Sequence, residues 1–129
     1  MPKKNKQKGG AEIILFRFIE MIPEISINDE NNNNILHHTV ESGNYDMVKN
    51  VLEIAEKKNQ LYLLINSYND EGLTPLHIAV RKNYQDIAEI LIYYGADKNI
   101  PDNNGQKVVY VPEQTGGDNS RIIYGKRFL

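Results

Sequence analysis

Three histidines are the residues in this chain best suited to acid–base or metal chemistry: His37, His38 and His77. A histidine can serve as general base, proton shuttle or metal ligand near neutral pH. His77 stands inside Gly72-Leu73-Thr74-Pro75-Leu76-His77-Ile78-Ala79-Val80, where a Thr-Pro pair precedes an apolar run. It is either a catalytic histidine or one that ties down a turn. The pair His37-His38 invites a metal reading, but successive helical residues point about 100° apart and do not easily share one ion. The rest of an active site is hard to find. There is no cysteine, hence neither a disulfide framework nor a thiolate metal site. Gly116-Gly117-Asp118 lacks the Lys-Ser/Thr that completes a phosphate loop. Carboxylates such as Glu41 and Asp46 are scattered along helix faces, as solvated carboxylates usually are. The expectation is a protein that is not an enzyme and holds no metal or cofactor.

The elements that position these histidines repeat. With His77 laid on His37, 40 residues earlier, Leu76 falls on Leu36, Val80 on Val40, Asp86 on Asp46, Leu91 on Val51 and Ile92 on Leu52. In the second copy, Asn69-Asp70-Glu71-Gly72 reads as a turn in which Gly72 supplies a positive φ. Thr74 then falls at a helix N-cap and Pro75 at the first helical position, where its missing N–H costs nothing. Leu76, Ile78, Ala79 and Val80 make a short apolar helix ended by Asn83, and Asp86 opens a second helix carrying Ile87, Ala88, Ile90, Leu91 and Ile92. Gly95 ends that helix, and Asp102-Asn103-Asn104-Gly105 is the next turn, 33 residues after the last.

Residues 69–101 resemble an ankyrin repeat, with its Thr-Pro-Leu-His-x-Ala motif and the Gly95-Ala96-Asp97 that follows at the right distance. Asn69 for Asp and Asn83 for Gly are the departures. The resemblance implies an all-α solenoid of helix-turn-helix units with turn or hairpin tips. It also implies structural roles for Asn34, His37, Gly72, Thr74, Pro75, Leu76, His77 and Gly95, the Thr and His bonding each other and the neighbouring loop. His38 is expected to face solvent or a partner.

The units expected are a disordered basic tail over residues 1–10, a capping half-repeat over 11–28, a repeat with an insertion over 29–68, the near-consensus repeat over 69–101, and a degenerate third repeat or cap over 102–129. In the first repeat Asn34 replaces Thr as the cap, and about seven extra residues fall within Glu53–Leu64. The second helix is expected to run through Glu56, a loop or extra turn to follow, and Leu61, Leu63, Leu64 and Ile65 to pack back. Ahead of it, Ile14, Leu15, Phe18, Ile19 and Ile22 match Ile87, Ala88, Leu91, Ile92 and Gly95, as in the outer helix of an incomplete leading repeat. After Gly105 the pattern decays. Pro112 argues against a helix, Val108-Val109-Tyr110-Val111 reads as extended, and Ile122, Ile123, Tyr124 and Phe128 are expected to return over the stack.

Ankyrin stacks bind proteins, so the resemblance implies a protein partner met at the turn tips and the outer positions of the short helices. By motif position these are Glu30, Asn31, Asn33, Glu41 and Ser42, then Asp70, Glu71, Leu73, Arg81 and Lys82, then Asn103, Asn104 and Gln106. Leu73, an apolar residue at a tip, is expected to anchor the interface, with Tyr68 and Tyr84 as further candidates. The long first repeat followed by a near-perfect one is also similar to the early repeats of the inhibitor-of-NF-κB family, and to its truncated viral-type relatives, which implies a Rel-type transcription factor as partner. The Asp-Ser-Gly phosphodegron of that family is missing. A structural role, docking through the C-terminal face, is the remaining alternative.

Composition sets the outer bounds. The chain has 129 residues, 40% of them hydrophobic, and a net charge of −2, so no global field favours nucleic acid or membranes. The stretch Ile13–Ile22 is interrupted by Arg17 and Glu20 and is short of the roughly 20 residues a span needs. Lys3, Lys4, Lys6 and Lys8 read as a solvated tail, a nuclear-localisation patch being the alternative. A nucleic-acid role would rest on that tail with Arg121, Lys126 and Arg127, and none is expected. Abundant Asn, Ile and Lys point to an A/T-rich genome, and an intracellular location is expected.

Overall fold

The computed structural model describes residues 17, 19–111 and 121–125. The expectations for the basic tail, for Ile14, Leu15, Phe18 and Phe128, and for Pro112 and Gly116–Ser120 lie outside the described residues.

Two helical hairpins form the body. The first pairs α1 (Ile35–Ser42) with α2 (Tyr45–Lys57), and the second pairs α3 (Pro75–Arg81) with α4 (Gln85–Tyr93). The short helices α1 and α3 lie side by side as an inner row, and α2 and α4 make the outer row. Helices of seven or eight residues do not persist alone in water, so their ends are locked by side chains. Asn34 Oδ1 accepts from the Leu36 and His37 N–H groups at the start of α1. Thr74 Oγ1 accepts from the His77 N–H at the start of α3, with Pro75 at the first helical position. Gly43 (φ 75°) and Asn83 (φ 61°) turn the chain from inner to outer helix in left-handed conformations. A Cβ on Gly43 would lie 2.9 Å from the ring of Tyr84, so the glycine serves both φ and close packing.

The core runs between the rows: Leu36, Val40, Val48, Val51 and Leu52 from the first hairpin, Leu76, Ala79, Ile87, Ala88 and Leu91 from the second. Each Leu or Ile withdrawn from water contributes about 1.5–3 kcal/mol. The insertion forms the end of α2 and a 3₁₀ turn, Leu61–Leu63, after Asn59 at φ 57°. Leu64 and Ile65 pack back into the core as expected, while Leu61 and Leu63 are half-buried.

Before α1, residues 17 and 19–21 are helical, and Ile19 and Ile25 are buried. The insertion fastens this leading segment. Lys58 Nζ donates to the Glu20 and Ile22 carbonyls at 2.9 and 2.8 Å. Gln60 accepts from the Ile25 N–H and donates to the Pro23 carbonyl. The segment therefore ends beside the end of α2, in the outer row.

After the third turn the fold leaves the helical pattern. β1 (Val108–Val111) pairs antiparallel with β2 (Arg121–Tyr124), Val108 opposite Tyr124 and Val111 opposite Arg121. The pair lies against α3 and α4, burying Val108 and Ile122. Gln85 on α4 reads β2 as a peptide would: its Nε2 donates to the Ile122 carbonyl at 3.0 Å and its Oε1 accepts from the Ile122 N–H at 2.7 Å. The helical solenoid thus ends in a two-stranded ribbon where a third inner helix would begin.

Candidate functional site

Three tips project beyond the inner helices, and one side-chain device builds all three. Asp29 Oδ1 accepts from the N–H groups of Asn31 and Asn33 at 2.9 and 2.8 Å. Asn69 Oδ1 does the same for Glu71 and Leu73 at 2.9 and 3.1 Å. Asp102 Oδ1 repeats it for Asn104 and Gln106 at 2.8 and 2.9 Å. Each tip is closed by a backbone N–H donated back to that first residue's carbonyl, from Asn32, Gly72 and Gly105 at φ 62°, 74° and 80°. The third tip is therefore intact although the helix after it is lost.

The tips are also joined to one another. The Asp70 N–H donates to the Asn31 carbonyl at 3.0 Å, Asn69 Nδ2 to Asn33 Oδ1 at 2.8 Å, and Asn32 Nδ2 to Asp70 Oδ1 at 2.6 Å. The second and third touch at Gly72, where a Cβ would stand 3.2 Å from the Cβ of Asn103.

The two motif histidines tie the helices to the loops. The N–H groups of Asn34 and Thr74 donate to Nδ1 of His37 and His77 at 3.1 and 2.9 Å. That places each ring proton on Nε2, which donates to the Leu73 and Ile100 carbonyls at 2.9 Å in both cases. Both nitrogens of both rings are engaged and both residues are 1% exposed, so neither ring offers a free atom to a substrate or metal. Burial, opposed by the carbonyls of Leu73 and Ile100, pulls both imidazoles below the usual histidine range and keeps them neutral. His38 instead faces solvent, its Nε2 2.8 Å from Asp29 Oδ2. The Asn33 N–H, with those of Asn31 and the His38 ring, outweighs desolvation and holds the Asp29 carboxyl low.

The edge of the inner row is bound by ion pairs. Lys82 Nζ lies 2.8 Å from Glu41 Oε2, joining the ends of α1 and α3, and that carboxylate holds the ammonium above its usual range. Arg81 Nη2 reaches Asp102 Oδ2 at 3.3 Å and Asn103 Oδ1 at 3.2 Å. Burial alone would raise Asp102, but the N–H groups of Gln106 and Asn104 and the Arg81 guanidinium hold it below the carboxylate range.

Of the surface residues expected, Glu30, Asn31, Ser42, Asp70, Glu71, Asn103 and Asn104 are exposed on this tip-and-edge face, and Tyr68 is 68% exposed beside the second tip. Asn33 and Gln106 are half-buried, and Glu41, Arg81 and Lys82 are exposed but already paired. The expectation for Leu73 needs correction. It is 5% exposed, its side chain belongs to the core, and its carbonyl serves Asn69 and His37, so a packing role replaces that of exposed anchor. Tyr84 is likewise half-buried, its ring against Gly43. Sequence reasoning missed the roles of Asn32, Lys58, Gln60 and Gln85, and for Tyr124 it gave a return over the stack but not the bond to His77. Tyr124 donates its hydroxyl to the His77 carbonyl at 3.0 Å and stacks on that imidazole with centroids 6.0 Å apart. The partners of these residues lie 35–47 positions away, and no local pattern marks them.

A row of capped inner helices, an outer row, and tips cross-linked into a ladder define a helical-repeat interaction protein. The chain belongs to the ankyrin-repeat family: the family model for ankyrin repeats in three copies matches residues 7–102. It is 33% identical over 93 residues to the nuclear factor NF-kappa-B p105 subunit of Gallus gallus, covering 72% of this chain and 9% of that protein. It is 32% identical over 81 residues to the human ARF GTPase-activating protein GIT1, covering 63% of this chain and 10% of that protein. It is 37% identical over 70 residues to human protein phosphatase 1 regulatory subunit 27, covering 54% of this chain and 41% of that protein. The chain thus spans less than half of each. The shared fold is a protein–protein interaction module.

Proposed function

We propose that the chain binds a protein partner inside the cell across the tips and the edge of the inner row, with Glu30, Asn31, Glu71, Asn103 and Asn104 in direct contact and Tyr68 as the aromatic anchor. One observation carries this reading. The fold fixes the tips through backbone and first-residue contacts, and among the described residues leaves these side chains exposed with no side-chain partner except at Asn103. A preordered surface loses little entropy on binding. Glu30, Asp70 and Glu71 make the first two tips acidic, which favours a basic stretch on the partner. With a partner in hand, Glu30→Lys and Glu71→Lys should each weaken binding about tenfold or more, while Tyr93→Ser on the outer face leaves it within twofold. The reverse pattern would place the interface on the outer row.

A Rel-type transcription factor is the partner the similarity to p105 favours. Titration of a purified Rel-type dimer, followed by anisotropy, should give saturable binding that falls with rising salt. No binding at tens of micromolar would remove this partner and leave the surface assignment standing. The ribbon of β1 and β2 packs on α3 and α4 at the C-terminal end of the stack, which favours the tips over that end as the docking face.

A further inference from the structure

The outer row carries tyrosines that its packing does not require. Between α2 and α4 lies a groove of about 540 Å³, with Tyr45 and Tyr94 half-buried in its walls, the buried Ile90 in its lining and Tyr93 standing 83% exposed. The rings of Tyr93 and Tyr94 meet edge to face with centroids 5.4 Å apart. Helical spacing makes the groove. Tyr45, Lys49 and Glu53 recur every four residues along α2, with Glu56 three further on, and Asp86, Glu89, Ile90 and Tyr93 share one face of α4. Both walls are described helices packed on each other, so the groove does not arise at an end of the stack.

Charge says what fits. Glu53, Glu56, Asp86 and Glu89 are all exposed, and among the described residues none has a cationic side-chain partner. Burial, and then the charges of Glu53 and Glu56, push the Tyr94 hydroxyl above its usual range, so both carboxylates lie within electrostatic reach of the groove. Among the described residues Lys49 is the one cation in its lining. Aromatic faces beside unpaired carboxylates suit a cationic side chain, and arginine better than lysine: its flat guanidinium stacks on a ring while its fork reaches a carboxylate. This chain has little of its own to offer there. Residues 1–10 carry lysines but no arginine, and residues 112–120 carry neither. Arg81 is committed to Asp102, and Arg127 follows Gly125, whose N–H donates to the Lys107 carbonyl on the tip side of the ribbon.

We propose that this outer groove docks an arginine-bearing peptide segment of a protein partner, a guanidinium packed on the rings of Tyr93 and Tyr94 and paired with Glu89. The surface lies on the other row from the tips, and the proposal does not rest on them.

The probe is a synthetic peptide of four Arg-Ser repeats, titrated into the full chain near physiological salt with the tyrosine ring signals followed by NMR. Saturable shifts are expected at Tyr45, Tyr93 and Tyr94, and none at the equally exposed Tyr62. Shifts at Tyr68 would report the tips, and Glu71→Lys should remove those while leaving the shifts at Tyr93 and Tyr94 unchanged. Tyr93→Leu keeps apolar area but loses the ring; it should weaken binding read at Tyr94 about threefold, with the melting temperature unchanged because the side chain is mostly exposed. Glu89→Lys should weaken it about tenfold or more. Lysine in place of arginine in the peptide should cost about threefold. Four results would overturn the proposal: no saturable shift up to millimolar peptide; equal affinity for the arginine and lysine peptides, so that charge alone attracts them; shifts that appear only after residues 1–10 are deleted, so that the chain's own lysines hold the groove; or shifts that follow protein concentration without peptide, so that a second copy does.

Discussion

His37 and His77 each accept a backbone N–H at Nδ1 and donate from Nε2, an arrangement that only the neutral ring can make. Protonation would put a second N–H against the donor at Asn34 or Thr74. Their folded pKa values lie below the unfolded value of 6.5, so the unfolded chain binds protons first as the pH falls. Stability is full above about 6.5 and declines below it until the folded rings also titrate. The slope reaches at most about 1.4 kcal/mol per pH unit for each ring. Urea unfolding between pH 7.5 and 5 should show this decline, and His77→Ala should be less stable at pH 7.5 with a shallower decline. Asp102 adds a second loss at lower pH: its depressed pKa stabilises the fold above the usual 3.8, and that contribution goes as the pH falls through the lower folded value. At Gly72, alanine meets both a φ of 74° and a 3.2 Å approach to Asn103, so Gly72→Ala should cost about 1 kcal/mol or more in urea unfolding.

Caps decide whether the elements form at all. Thr74 Oγ1 accepts the His77 N–H at the start of α3, and Thr74→Ala should cost about 1 kcal/mol, read as a lower urea midpoint with an unchanged slope. The capped inner helices, the outer helices and the tips were legible in the sequence because their determinants are local: Thr74 with Pro75 and His77, Asn34 with His37, Asn69 with Gly72. The partners of Lys58, Gln60, Gln85 and Tyr124 were not, since each is fixed by a fold that brings distant segments together. Leu73 was misread for the same reason. Tip position suggested exposure, but the stacking of one repeat on the next buries it. The extended character of Val108–Val111 was visible, whereas its pairing with Arg121–Tyr124 and its docking on Gln85 depend on contacts no local pattern encodes.

At the scale of the molecule, the ribbon stands in for a third helical pair. Its contribution is large for so few residues. Burial of Val108 and Ile122 contributes about 1.5–3 kcal/mol each, and the bonds from Gln85 and Tyr124 about 0.5–1.5 kcal/mol each. That is a sizeable part of the 5–15 kcal/mol typical of a domain. If the ribbon completes the stack, the C-terminal end is closed and the tips remain the free face for a partner. The most direct test is thermal unfolding, followed by circular dichroism and light scattering at several protein concentrations, of the full chain and of a version ending at residue 106. The full chain should unfold in one cooperative transition at a temperature independent of concentration. The shortened chain should melt well below it, at a temperature that rises with concentration as bare ends associate. Superimposable curves for the two chains, or a full-length melting point that climbs with concentration, would contradict the account and move the search for a partner to the open end.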